Sequence, residues 1–194
     1  MAILGSSDPE QYDEILRVER HALSHHQIAN RKPWQARKAT VALLNYAADE
    51  GLEVRYLVGT GGANFFGNDV IKAFGRCAEA RCRMRMLVWN DDPRSIAPAF
   101  ADLHARGKLG IRISGTRRRG GDLAHFLLVG DAAYRLEAPH DYFPAETVFT
   151  EDKPEISAII AFSDRKETAF WARTFESLWR VLPDVASADL VAIP

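Results

Sequence analysis

The chain has 194 residues, 47% of them apolar, and its 26 acidic and 25 basic side chains leave a net charge of -1. This length and apolar content exclude general disorder and are typical of one folded domain, while the balanced charge neither demands nor excludes nucleic acid. No apolar run approaches the roughly 18 residues that cross a bilayer, no secretory leader is recognisable, and the two cysteines form no disulfide framework, so we expect a cytoplasmic protein.

Two helices are predicted in the N-terminal quarter of the chain. The first begins at Ser7-Asp8-Pro9-Glu10, where a capping side chain, a proline and an acid stand in the order of a helix start, and it continues to about His26. The second begins at Pro33 and ends before Gly51. We therefore expect an N-terminal helical appendage, an α/β domain and a C-terminal tail, at residues 1–50, 51–182 and 183–194.

Strand and helix patterns alternate from Leu52 onward. Apolar strand runs separated by amphipathic helices are typical of parallel βαβ units, and a hairpin, a last strand and a strong helix follow them. The predicted strands lie at 53–58, 84–89, 110–114, 125–129, 133–137 and 157–162. The expected fold class is α/β, a mixed β-sheet flanked by helices on both faces, with the helical appendage before it. The side chains expected in its core are Phe74, Trp89, Leu128, Phe162, Phe170 and Trp179.

A glycine loop follows the first of these strands. Gly59-Thr60-Gly61-Gly62 stands between a strand and a helix, where backbone N–H groups can bind phosphate. Asn64 replaces the third glycine of the dinucleotide pattern, and no Gly-Lys-Ser/Thr follows, so the P-loop pattern fails. A nucleotide-binding module that uses Gly59–Gly62 is one hypothesis, and a structural turn is the other.

A basic loop follows the third strand of the α/β region. Arg117, Arg118 and Arg119 are followed by two glycines, and guanidinium groups on a flexible loop suit a clamp for phosphate or carboxylate. The alternative is a solvated loop that balances nearby acids. No aromatic side chains are interleaved with the arginines, so nucleic acid is possible but weakly supported as a partner.

The two histidines of the first predicted helix could bind a metal only if other residues supplied further ligands. His21 and His25 share one helix face, but no H-E-x-x-H motif and no further ligand follow them. We predict no metal and no cofactor.

His125 begins an apolar strand directly after the basic loop. The stretch from His125 to Asp131 is similar to the phospholipase D signature, which reads histidine, any residue, lysine, four residues, aspartate. The order of strands, loop and helices resembles the same superfamily over roughly residues 50–181, including the closing Phe175-x-x-Leu178-Trp179. The resemblance implies the mixed α/β fold and a site built on His125.

The signature is degenerate in this chain. Leu127 stands at the lysine position, Ala132 stands at the aspartate position, and the trailing Gly-Ser-x-Asn is absent, with Arg135 in that region. The resemblance implies that in this family one histidine attacks phosphorus and another protonates the leaving oxygen. Lysine and asparagine stabilise the phosphoryl oxygens. Losing one such stabiliser typically costs about 10²–10³ in rate.

We therefore predict a non-catalytic phospholipase D-like module that binds a protein partner or an anionic, phosphate-containing ligand. The residues expected to contact the ligand are Asn64, Arg117, Arg118, Arg119, His125 and Arg135. The alternative is a phosphodiesterase or nuclease in which His125 is catalytic. One signature per chain implies that such a site needs a second copy, so a homodimer is expected.

Overall fold

A computed structural model of the chain describes residues 3–59, 66–89, 98–114, 124–139 and 155–184. The strands in these ranges are β1 (Ile3–Leu4), β2 (Gln27–Asn30), β3 (Val54–Val58), β4 (Met84–Val88), β5 (Leu109–Ile113), β6 (His125–Val129), β7 (Ala133–Glu137) and β8 (Ala158–Ala161). The helices are α1 (Pro9–Ala22), α2 (Pro33–Glu50), α3 (Asn68–Glu79), α4 (Pro98–Ala105) and α5 (Arg165–Val181). The eight described strands form one mixed sheet in the order β1-β2-β8-β7-β6-β3-β4-β5, which confirms the predicted α/β class.

The strand directions bring several strand ends to one edge of the sheet. β3, β4 and β5 are parallel, β6 is antiparallel to both β3 and β7, and β8 is antiparallel to both β7 and β2. The carboxyl ends of β2, β3, β4, β5 and β7 therefore lie at the same edge as the amino ends of β6 and β8. We call this the carboxyl edge. In open α/β sheets, ligands bind outside the carboxyl ends of the strands.

Both helices predicted near the N-terminus are present. The Asp8 side chain accepts hydrogen bonds from the first backbone N–H groups of α1, as its capping pattern predicts. β2, which pairs with β8 through Ile28 and Ile160, is not among the predicted strands. This strand has 4 residues, too few for alternation of apolar and polar side chains to be recognised. The N-terminal region thus adds a strand to the sheet, while a domain boundary near residue 50 stays a prediction.

Helices cover both faces of the sheet. Residues of α1 to α4 pack on one face, which we call the α2 face, and α5 packs on the other, the α5 face. Phe74, Leu128 and Phe162 are buried as predicted. The prediction for Phe170 is wrong: this side chain is 51% exposed, because α5 turns Phe175 toward the sheet and Phe170 outward. No helix in the described ranges is long and apolar enough to cross a bilayer.

A buried arginine fixes α5 to the sheet. The Arg85 guanidinium lies 5.2 Å from the ring centroids of both Phe175 and Trp179. Its Nε donates a hydrogen bond to Glu53 over 3.1 Å, and its Nη1 donates one to Glu176 over 2.9 Å. The hydrogen bond from Arg85 holds the pKa of Glu176 below its usual value, although partial burial opposes this. This ionic contact belongs to the α5 face and is separated from the carboxyl-edge residues of the α2 face by the sheet.

Candidate functional site

His125 lies at the carboxyl edge, as the first residue of β6, and its side chain is 23% exposed. The hairpin register places it directly opposite Glu137, the last residue of β7. His125 Nδ1 is 3.8 Å from Glu137 Oε1, within ion-pair distance. The turn between these strands contains Gly130 at φ +58, a conformation that glycine adopts without strain. The turn therefore sets the register that brings the two side chains together.

Gly59 lies against the His125 ring at the end of β3. A Cβ atom on residue 59 would be 2.5 Å from His125 Nε2 and 2.7 Å from Cε1, distances at which one of the two groups must move. Glycine is therefore required at this position for the imidazole to occupy its place. This contact accounts for Gly59 without a nucleotide. The remaining residues of the predicted nucleotide loop, Thr60–Gly62, and Asn64 lie outside the described residues.

Leu127, at the lysine position of the signature, faces the interior. It is fully buried on the α2 face, opposite Tyr56 on one side and Arg135 on the other. Its neighbours belong to the main apolar cluster of the protein. A side chain at this position therefore meets the core beneath α2 and contributes no charge to the carboxyl edge.

Arg135 is buried under the site, with 1% of its side chain exposed. Its Nη2 donates a hydrogen bond to Glu137 Oε2 over 2.5 Å. Burial alone would lower the pKa of Arg135, but the Glu137 carboxylate, together with Tyr56 and Tyr12, holds that pKa above its usual value. Burial raises the pKa of the nearby Tyr56 to about 12, although the positive charge of Arg135 opposes the increase. The guanidinium is thus charged, and in this structure it meets Glu137 instead of solvent.

Asn30 is a buried amide on the same row of the sheet. It lies opposite Ala158, which lies opposite Glu137, so the three side chains occupy one row of the α2 face. Asn30 is fully buried, and neither atom of its side-chain amide has a hydrogen-bond partner within the described ranges. A buried unpaired amide costs free energy, so this one requires an explanation.

Glu137 and Asn30 are not among the site residues expected from the sequence. Counting outward from a two-residue Gly130-Asp131 turn would pair His125 with Leu136. The observed turn has three residues, 130–132, so the register shifts by one and Glu137 lies opposite His125. Asn30 could not have been found from a local pattern either, since its burial depends on the pairing of β2 with the distant β8.

The basic loop falls outside the described residues. Arg117, Arg118 and Arg119 therefore stay predicted ligand contacts. The described residues that flank this segment, Ser114 after β5 and Ala124 before β6, both lie at the carboxyl edge. The chain thus enters and leaves the basic loop on the side of the sheet where His125 lies.

His25 lies beyond the end of α1 at Ala22, so it does not share a helix face with His21. His25 Nδ1 is 2.6 Å from the carbonyl oxygen of Ser163, and His26 Nδ1 is 3.2 Å from Glu19 Oε1. Among the described residues, no group of three or more histidine, cysteine, aspartate or glutamate side chains is arranged to hold a metal.

Comparisons with known proteins identify similar structures. No protein-family model matches the sequence, and no curated protein matches it. The structure is similar to Nuc from Salmonella typhimurium, a phospholipase D family member, with TM-score 0.58 and 11% identity over 82% of this chain and 97% of that chain. NucT from Helicobacter pylori gives TM-score 0.57 and 8% identity over 82% and 98% of the two chains. TrmBL2, an archaeal chromatin protein with a novel mode of DNA binding, gives TM-score 0.53 and 15% identity over 91% of this chain but only 61% of that one.

Proposed function

We propose that this chain, which has the phospholipase D-like fold, binds an anionic, phosphate-containing ligand at His125 without turning it over. The observation that carries the proposal is the burial of Leu127. The position from which the signature's lysine would act holds an apolar side chain that is 0% exposed, while the His125 side chain, at the carboxyl edge, is 23% exposed. The site therefore retains a histidine for contact and lacks a phosphoryl-stabilising lysine.

Three features support a ligand contact at His125. The ring lies at the edge where ligands of open α/β sheets bind. Gly59 allows the ring to occupy this place, because a side chain on residue 59 would overlap Nε2. The segment that contains Arg117 to Arg119 begins and ends at the same edge, and guanidinium groups from it would add charge-assisted hydrogen bonds to phosphate oxygens.

The absence of turnover is argued from charge. Phosphoryl transfer depends on groups that stabilise the charge of the transition state, and removing one such donor typically costs about 10²–10³ in rate. Arg135, the nearest buried cation to His125 in the hairpin register, is already paired with Glu137. The hairpin therefore offers a histidine without an uncommitted cation beside it.

The test is a binding and turnover experiment on the same samples. Inorganic phosphate and a short single-stranded oligonucleotide are titrated into ¹⁵N-labelled protein, and hydrolysis of bis(p-nitrophenyl) phosphate is measured in parallel. We expect the His125 signals to shift with phosphate, no hydrolysis above background, and loss of binding in His125→Ala. His21→Ala, which removes an exposed histidine of α1, is the matched control. If phosphate leaves the His125 signals unmoved, the proposal of an anionic ligand fails. The non-catalytic module would then bind a protein partner instead.

A second candidate is a phosphodiesterase or nuclease built from two copies of this chain. This candidate is favoured by the extent of the structural match. The chain covers 97% of Nuc and 98% of NucT, so it corresponds to nearly the whole of each of those chains. With one histidine signature per chain, a two-histidine site would need a two-fold axis between copies. Light scattering at micromolar concentration separates this dimer from a 21.7 kDa monomer. Hydrolysis that disappears in His125→Ala would establish this candidate over the first.

A further inference from the structure

Four side chains of the β6–β7 hairpin form a square on the α2 face. His125 lies opposite Glu137, and Leu127 lies opposite Arg135. Side chains that face each other across an antiparallel pair have Cβ atoms about 4.5–5.5 Å apart. The cation that the signature would place on β6 is therefore present one strand away, on β7, at the position directly opposite Leu127.

We infer that Arg135 is a positioning residue that acts on His125 through Glu137. The two oxygens of the Glu137 carboxylate face different partners: Oε2 accepts the 2.5 Å hydrogen bond from Arg135, and Oε1 lies 3.8 Å from His125 Nδ1. Arg135 stabilises the ionised carboxylate in a place that is only 8% exposed. The carboxylate in turn favours a proton on Nδ1 and a lone pair on Nε2, the nitrogen that lies beside Gly59.

A simple structural role explains this arrangement less well. A buried ion pair contributes little net stability compared with apolar side chains of similar volume, because both charges are desolvated. The neighbours of Arg135 across the two adjacent strands are Leu127 and Ile160, so an apolar residue would fit this position. Burying the guanidinium therefore costs free energy that an apolar residue would not, and fixing the charge and orientation of Glu137, and through it the imidazole, is a reason to retain it.

This placement also changes what the charge does. A lysine on β6 beside the histidine would contact the ligand. Arg135 instead donates its hydrogen bond along its own strand, to the Glu137 carboxylate. The hairpin thus keeps one cation on this face and uses it to orient the histidine. In identifying Nε2 as the atom that meets the ligand, the inference rests on the proposed function, but the orientation of the ring can be measured without any ligand.

The experiment measures which ring nitrogen carries the proton. Long-range ¹H–¹⁵N spectra of ¹⁵N-labelled protein are recorded at alkaline pH, where the imidazole is neutral. In the wild type we expect the Nδ1–H form to be the major one. In Arg135→Met and in Glu137→Gln, we expect Nε2–H to become the major form, and Arg135→Lys should restore Nδ1–H.

The matched control is Arg85→Met. Arg85 is also a buried arginine paired with glutamates, but it lies on the α5 face, so its loss should lower stability and leave the His125 signals unchanged. If Arg135→Met does not fold, Glu137→Gln and Arg135→Lys decide the question. Nδ1–H persisting as the major form in folded Arg135→Met or in Glu137→Gln overturns the inference. Phosphate titration of the same samples separates the two claims: a tautomer change without phosphate binding removes the proposed ligand and leaves the positioning role intact.

Discussion

Gly59 and His125 share one place at the carboxyl edge: the imidazole Nε2 lies 2.5 Å from where a Cβ on residue 59 would be. The two residues come from neighbouring antiparallel strands, β3 and β6. The ring can occupy its position only because residue 59 has no side chain. Gly59, which the sequence suggests as part of a phosphate-binding turn, is thus required for the position of the His125 ring.

The first prediction follows from this contact. Gly59→Ala should displace the His125 ring, since the overlapping atoms belong to a side chain that can rotate away and the backbone can stay in place. We expect phosphate binding at His125 to be lost while the protein remains folded, as measured by the His125 ring signals and circular dichroism. Gly75→Ala is the control. A Cβ there meets nothing within 4 Å, and alanine in a helix interior should stabilise α3 by about 0.5–1 kcal/mol. An unmoved ring in Gly59→Ala would contradict the contact.

The second prediction tests the exchange of charge between β6 and β7. Leu127→Lys should destabilise by about 3–5 kcal/mol, because it buries an unpaired cation beside Arg135. Adding Arg135→Leu leaves one cation on the face, next to Glu137, and should recover part of that loss. Urea unfolding of the single and double variants gives the coupling free energy. Leu128→Lys with Arg135→Leu is the control, since Leu128 faces the α5 side, and there the two losses should simply add.

The third prediction concerns the buried amide of Asn30. Its amide atoms have no partner in the described part of the chain, so Asn30→Leu should raise the free energy of unfolding by about 1–3 kcal/mol. Gln35→Leu should do the opposite. Its amide accepts hydrogen bonds from the backbone of Arg31 and Lys32 and donates one to the carbonyl oxygen of Ser6. Urea unfolding measures both, and a clear loss of stability in Asn30→Leu would mean that the amide is hydrogen-bonded, to water or to another part of the chain.

The fourth prediction is a pH dependence set by Glu176. Its pKa is lowered in the folded protein, first by the hydrogen bond from Arg85, so its contribution to stability is present at neutral pH. That contribution is lost as the pH falls from about 5 through the lowered pKa, because the unfolded chain then binds the proton more readily. Glu176→Gln should therefore flatten the decline of the melting temperature at acidic pH. Glu14→Gln, which removes the exposed partner of Arg17, is the control and should change this decline less. An unaltered slope in Glu176→Gln would contradict the role of the Arg85 pair.

Local patterns were sufficient to predict much of the fold. Each of the six predicted strands is an apolar run bounded by turn residues, and each is found in the one sheet. The short strand β2 is not predicted, because its pairing with β8 is non-local and its 4 residues carry too little pattern. Phe170 was misplaced for a different reason. The apolar residues of α5 surround much of the helix, so the buried side could not be chosen without the contact of Arg85 with Phe175 and Trp179.

The candidate site was predictable in part. His125 was identified from its resemblance to a signature, and the structure places it at the carboxyl edge of the sheet. The sequence distance between His125 and Glu137 hides their proximity until the hairpin register is known. Arg135 was expected at a ligand, but its burial depends on the strands on either side and on α2 above it, which only the assembled sheet defines.

The pairing of β2 with β8 has a consequence for synthesis of the protein. Ile28 and Ile160 are neighbours in the sheet but lie about 130 residues apart in the chain. Non-local pairings of this kind form late, because a long loop must close before the contact stabilises it. During synthesis, β2 has no strand on its β8 side until the chain has been made as far as β8, which begins at Ala158. The N-terminal helices therefore cannot complete their packing on the sheet until β8 has been made. A chain truncated before residue 158 would leave that edge of β2 open to pairing with other molecules.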